Sequence, residues 1–223
     1  LNRGKWLLLL VLVLVMIPSM ALAKVKGIDD YPRVAVLPLQ NKAAENWHDF
    51  GDYAGSATDN LAFELNRTMR FECIEREALQ KLMDEHSLNM TGMVDRATAA
   101  EIGRLSGADY LVLGSVASLT AKSSGAIMHS GRIDSAAGLH KNKVAATVLI
   151  RVVDVETGRI VLYGRGKGKS DSSAGAVAAK GNIFMLGSVN VSDEQCENAI
   201  EKAVKEAIHG KEGILSQLDG KSK

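Results

Sequence analysis

Apolar residues along this chain recur with two periods, and the switches between them mark out its elements. Residues 33–40, RVAVLPLQ, form an apolar run that predicts a strand. Pro38 cannot donate to a ladder, so this strand ends near an edge or leaves the sheet there. Phe50, Ala54, Ala57, Leu61 and Leu65 follow at spacings of three and four, which defines one face of a helix. Residues 69–75 read as a second strand. Residues 75–86 and 95–106 predict two short helices, with Ala78, Leu79, Leu82 and Met83 inward on the first and Ala99, Ile102 and Leu105 inward on the second. Gly107 suits the cap of the latter.

Residues 110–119, YLVLGSVASL, begin apolar on both faces, as a central strand does. Residues 144–155 and 159–169 predict a hairpin around Glu156-Thr157-Gly158, where Gly supplies the positive φ of a tight turn. Ser192 and Gln195 have capping-box spacing. They open a helix with Cys196, Ala199, Ile200, Ala203, Val204, Ala207 and Ile208 on one face, ended by Gly210. Residues 211–223 are expected to be a flexible tail. The order predicts an α/β (α+β) fold, a mixed sheet flanked by helices.

Two small-residue-rich insertions interrupt this plan, at about residues 119–143 and 170–191. Every Asp, Glu, Lys and Arg between 119 and 140 falls on an even position, and Leu119, Ala121, Ile127, Ile133 and Leu139 are odd. Val177, Ile183 and Met185 are likewise odd, while Lys180 and Asn182 are even. Strands of outer-membrane barrels alternate in this way, over about 10 residues each. Each insertion therefore reads as a β-hairpin or a loop, and Ile127, Ile133, Leu139, Val177, Ile183 and Met185 are the candidate lipid-facing positions of the hairpin reading.

The amino terminus belongs to a different class of sequence. Arg3 and Lys5 precede an apolar run, and Ala21-Leu22-Ala23 offers small residues to a peptidase. Residues 1–23 are expected to be a signal peptide, with the mature domain at residues 24–210. Without Arg3 and Lys5, 25 basic residues face 26 acidic ones, so nothing favours a nucleic-acid partner. Cys73 and Cys196 lie in a strand-like run and on an apolar helix face, which suits two buried small residues; export also permits a disulfide between them. Neither cysteine directly follows the expected cleavage site, where a lipid would be attached.

Tests for chemistry give little. Residues 164–170, GRGKGKS, place three residues where a phosphate loop needs four. His48, His86, His129, His140 and His209 lack metal-site spacing, and no G-x-S-x-G elbow occurs. No cofactor, metal site or enzymatic activity is expected. Trp47, Phe50 and Tyr53 remain, crowded into one stretch of a chain with 2 Trp, 4 Tyr and 4 Phe. They read as a staple holding a helix start to the sheet, or as the lining of a constriction.

Residues 74–119 carry a familiar pattern: Glu75-Arg76, Leu79, Leu82, Glu85 and Leu88, then Gly107-Ala108-Asp109 and Gly114-Ser115-Val116. It resembles the CsgG family, which includes the curli production assembly/transport component. It also overlaps periplasmic penicillin-binding protein activators and TolB N-terminal-like domains. The resemblance runs over residues 34–208, with residues 149–161, LIRVVDVETGRIV, matching a further strand and turn. It implies a homo-oligomeric ring to which each subunit gives two hairpins, at the places of the two insertions. It also implies a pore-narrowing loop where Trp47, Phe50 and Tyr53 lie, although these do not match that motif residue by residue. The expected role is an exported protein of the periplasm or outer membrane that assists secretion or assembly of exported proteins, as a pore in the fuller reading. The alternative is a soluble periplasmic module that regulates an envelope enzyme through protein contacts.

Overall fold

A computed structural model describes residues 31–43, 53–85, 96–130, 135–179, 182–186 and 190–221. The expected signal peptide, Trp47, Phe50 and Ile133 lie outside them. The strands are β1 (Arg33–Val36), β2 (Gln40–Asn41), β3 (Glu72–Cys73), β4 (Tyr110–Ser130), β5 (Ser135–Asp154), β6 (Ile160–Ala179) and β7 (Asn182–Leu186). The helices are α1 (Ala54–Arg67), α2 (Arg76–Glu85), α3 (Arg96–Ser106), α4 (Asp193–His209) and α5 (Ile214–Lys221). One mixed sheet runs β3-β1-β4-β5-β6-β7, with β2 also on β4. β1 pairs parallel with β3 and β4, and every pairing from β4 to β7 is antiparallel.

Helices cover both faces, which explains the double-sided apolar strands. On one face Val34, Val36, Val112, Val116, Val148 and Ile150 pack with the inner sides of α1, α4 and α5. On the other, Ala35, Leu37, Leu111 and Leu113 pack with Leu79 and Met83 of α2 and Ala99 and Ile102 of α3. Two of the expected strands pair over fewer residues than predicted. Residues 33–40 pair with β4 as β1 over Arg33–Val36 and again from Gln40 as β2, broken at Leu37–Leu39, and residues 69–75 pair only at Glu72 and Cys73. Ala117 is an extra residue in β4: pairing passes from Val116–Val148 to Ser118–Thr147. This bulge reverses the alternation, so Val116 and Leu119 are both buried on the α4 side.

The α4 contact explains the failed phosphate loop. Gly164, Gly166 and Gly168 point toward Ala207, Ala203 and Ala199 of α4. A Cβ on Gly166 would stand 1.8 Å from the Ala203 carbonyl oxygen, and one on Gly168 the same distance from Ala199 O. Residues two apart on a strand advance about 7 Å, and residues four apart on a helix about 6 Å, so the two small-residue rows keep step. The motif cradles a helix.

Tyr53 ties α1 to the start of α4. It is 7% exposed, and its hydroxyl donates to Asp193 Oδ1 at 2.7 Å. Burial first, then this hydrogen bond, hold the phenol well above its ordinary pKa. The capping box at Ser192 and Gln195 is present in full. Glu64, only 2% exposed, is held between the same helices by Arg67 Nη2 at 2.9 Å and His209 Nε2 at 3.3 Å. A buried carboxylate needs such compensation.

Past Gly210 the expectation of a loose tail is corrected. The chain turns through Gly213 into α5, because Ile214 is fully buried against the sheet. Gln217 bonds the Tyr163 N–H and carbonyl, and Glu212 O accepts from Arg165 N at 3.1 Å. These contacts satisfy the outer edge of β6 at Tyr163 and Arg165, where no strand among the described residues pairs with it.

Two outcomes are expected in urea unfolding of the purified protein. Gly166→Val forces α4 from β6 and lowers stability by about 3 kcal/mol, whereas the exposed neighbour Lys167→Ala changes it by less than about 0.5 kcal/mol. Tyr53→Phe leaves the Asp193 carboxylate without its donor and costs about 2 kcal/mol.

Candidate functional site: the extended blade

Beyond the helices, β4, β5 and β6 continue as a sheet of their own. Pairing between β4 and β5 is unbroken from Ser118–Thr147 to Ser130–Ser135, and β5 stays paired to β6 as far as Ser135–Ala179. β7 returns against the end of β6, from Ala179–Asn182 to Gly175–Leu186. Strands of 20 or 21 residues extend roughly 65–70 Å, of which about half lies beyond the helical layers. The two insertions are thus strands, and together they make one four-stranded blade.

Charge is absent from the outer part of this blade. Residues 123–131, 135–140, 172–179 and 181–192 contain no Asp, Glu, Lys or Arg. Lys122, Lys141, Lys143 and Asp171 bound the charge-free band at its base, and in the sequence Arg132, Asp134 and Lys180 lie between its stretches. Eight residues, 123–130, rise about 27 Å along β4 and about 21 Å at a barrel strand's tilt, against an apolar band of roughly 25 Å in outer-membrane barrels.

The register divides five of the six hairpin candidates between two phases; the sixth, Ile133, lies outside the described residues. Ile127 pairs with Gly138 and Ala126 with Leu139, so parity inverts across the first turn. It holds from β5 to β6, where Leu139 pairs with Gly175 and Ala137 with Val177, and inverts again into β7, where Ala176 pairs with Met185 and Ala178 with Ile183. Ile127, Ile183 and Met185 therefore share one phase of the ladder, and Leu139 and Val177 share the other. The single apolar face expected from odd numbering is corrected: alternation holds within a strand, but a turn with odd register swaps its sense. Leu139 is 68% exposed.

The same register gathers residues that the sequence reading passed over. Lys122 pairs with Lys143, Lys143 with Asp171, Ala145 with Lys169, Thr147 with Lys167 and Leu149 with Arg165. These cations are exposed on the face opposite α4. The signal was present in the spacing of Arg165, Lys167 and Lys169 at every second residue. A cavity of about 330 Å³ lies at the lower end of this face, lined among others by Lys42, Ser115, Leu149, Arg151 and Tyr163.

Of the aromatic trio, Tyr53 is in the core between α1 and α4, and Trp47 and Phe50 are outside the described residues. The two cysteines are free: burial pushes the Cys73 thiol up to about 11, and burial chiefly raises that of Cys196 as well. Among the described residues no group of three His, Cys, Asp or Glu side chains is arranged to hold a metal ion. No described helix is long and apolar enough to cross a membrane, which says nothing of strands.

Among solved structures, partial likeness is found to the LpoB C-terminal domain from Escherichia coli, at 19% identity and TM-score 0.42, covering 61% of this chain and 81% of that one. It is found also to lipoprotein GNA1162 from Neisseria meningitidis, at 10% identity and TM-score 0.47, covering 63% and 84%. A third is the PelC dodecamer from Paraburkholderia phytofirmans, at 16% identity and TM-score 0.36, covering 78% and 86%. No curated protein matches the sequence. Residues 19–217 match the family described as curli production assembly/transport component CsgG, and with nearly the whole chain so matched the protein belongs to the CsgG family.

Proposed function

We propose that this protein is an exported envelope component that assembles with copies of itself and assists secretion or assembly of exported proteins, its blades closing into an outer-membrane barrel. The observation that carries the reading is the blade's pair of open edges. Among the described residues, β4 from Ala117 to Ser130 has β5 on one side and no strand on the other, and β7 pairs with β6 alone. In water such edges invite pairing, and in hydrocarbon their backbone groups must be satisfied.

The blade's strand directions suit closure by repetition. β4, β5, β6 and β7 alternate, so β7 of one copy set beside β4 of the next is antiparallel, like every other pair in the blade. A head-to-tail contact of this kind forms a ring when its rotation closes. The charge-free band supports the membrane part of the reading, and the family's description supports the role in export and assembly.

The two phases of the ladder supply the test. In a barrel, one phase faces lipid and the other the lumen. Arg at the lipid face costs about 2–4 kcal/mol near the midplane, and in the lumen it is tolerated. Ile127→Arg and Leu139→Arg lie in opposite phases, so one of the two is expected to abolish ion conductance in planar bilayers and the other to preserve it. The unaltered protein is expected to run as a large assembly in detergent. A solitary chain in detergent and in buffer, with no conductance, would reject the barrel and leave the soluble regulatory module.

A further inference from the structure

The exposed cations of the open face form a track. Arg165, Lys167 and Lys169 follow one another on β6 at the two-residue repeat of about 7 Å, and Lys143 and Lys122 continue the row on β5 and β4, one strand spacing of about 5 Å apart. From the level of Arg151 to that of Lys143 the track extends about 27 Å along β5. On this phase of β4, β5 and β6 the described residues include one acid, Asp171, at the upper end. Lys122, Lys143, Arg165, Lys167 and Lys169 have no ion-pair partner among the described residues. Like charges at this spacing repel one another, so the arrangement carries a standing cost that an anionic partner removes.

Apolar surface lies at the foot of the same track. Tyr163 is 59% exposed and Leu149 is 42% exposed, beside the cavity that Lys42 and Arg151 also line. The β6 edge next to them is already bonded by Gln217 and Glu212, which leaves side chains as the means of recognition. We infer that this face binds an acidic polypeptide segment lying along β6 in extended form, its carboxylates on the cations and an apolar or aromatic side chain at Tyr163 and Leu149. In an extended peptide, carboxylates at alternate residues repeat at the same 7 Å or so as the cations of β6. A uronic-acid polysaccharide or an anionic membrane surface matches the charge but supplies no side chain for the apolar foot.

This inference names the chemistry of the exported partner and in that respect rests on the role proposed above. The full mature chain is titrated, at low and at moderate salt, into a fluorescein-labelled short peptide alternating Glu and Tyr. Alginate, phosphatidylglycerol vesicles and a Gln-for-Glu peptide serve as comparators. Binding by the Glu peptide is expected to weaken with salt and to fall by about tenfold or more in Lys143→Glu/Lys167→Glu/Lys169→Glu. The Lys143→Arg/Lys167→Arg/Lys169→Arg variant is expected to retain it, as is Lys81→Glu, exposed on α2. Equal binding of the Gln peptide, equal loss in Lys81→Glu, or stronger binding of alginate or vesicles overturns the inference. Light scattering on the same samples separates the two readings: assembly without peptide binding rejects only this one, and peptide binding by a solitary chain rejects only the barrel.

Discussion

The approach of α4 to the backbone of β6 is the contact on which the rest of the structure depends. Side chains normally hold a helix about 10 Å above a sheet. Here Gly164, Gly166 and Gly168 carry none, and Ala199, Ala203 and Ala207 settle directly against the strand. The close seat lets one helix bury Ile200, Val204 and Ile208 as well, and it fixes β6 along the length from which the blade departs. Glycine weakens a strand by itself, and here the loss is offset by packing that a larger residue would prevent. Tyr53, Glu64 and the capping box then secure the helix from its flank and from its start.

Much of this was legible in the sequence. The apolar faces of α1 from Ala54 onward and of α4 came out residue by residue, because burial on one side of a helix leaves a period of its own. The capping box and the Gly158 turn were legible for the same reason, since both are local: Gly158 has φ +66°, and Asp154 accepts from the Thr157 N–H and hydroxyl. That turn also holds the Asp154 carboxyl below its ordinary pKa, chiefly through the Thr157 hydroxyl. What escaped was everything set by pairing. Residues 211–223 look polar, yet Ile214 and the edge of β6 together demand a helix there. The glycine run was read as part of a strand, but its purpose was hidden until its partner, some 31 to 43 residues on in the sequence, was in place.

The blade was half legible. Alternation within each insertion pointed to strands, and strands are what the chain forms there. Which positions share a side could not be read by counting, since the answer turns on how many residues each turn spends. The same limit hid the cations. Lys122, Lys143 and Lys169 are scattered in the sequence and neighbours in the sheet, and only the ladder shows that they crowd one surface on which acids are nearly absent.

Ala117 gives this arrangement a single pivot. The two halves of β4 have opposite demands, one requiring Val112 and Val116 on the side of α1 and α4, the other requiring Leu119 on that side and Lys122 away from it. One supernumerary residue lets a continuous strand meet both, by rotating the outer half a half-turn relative to the inner. β5 and β6 run past this level without a break, so gaining or losing one residue here would turn the outer half of β4 alone and carry Leu119 out of the core.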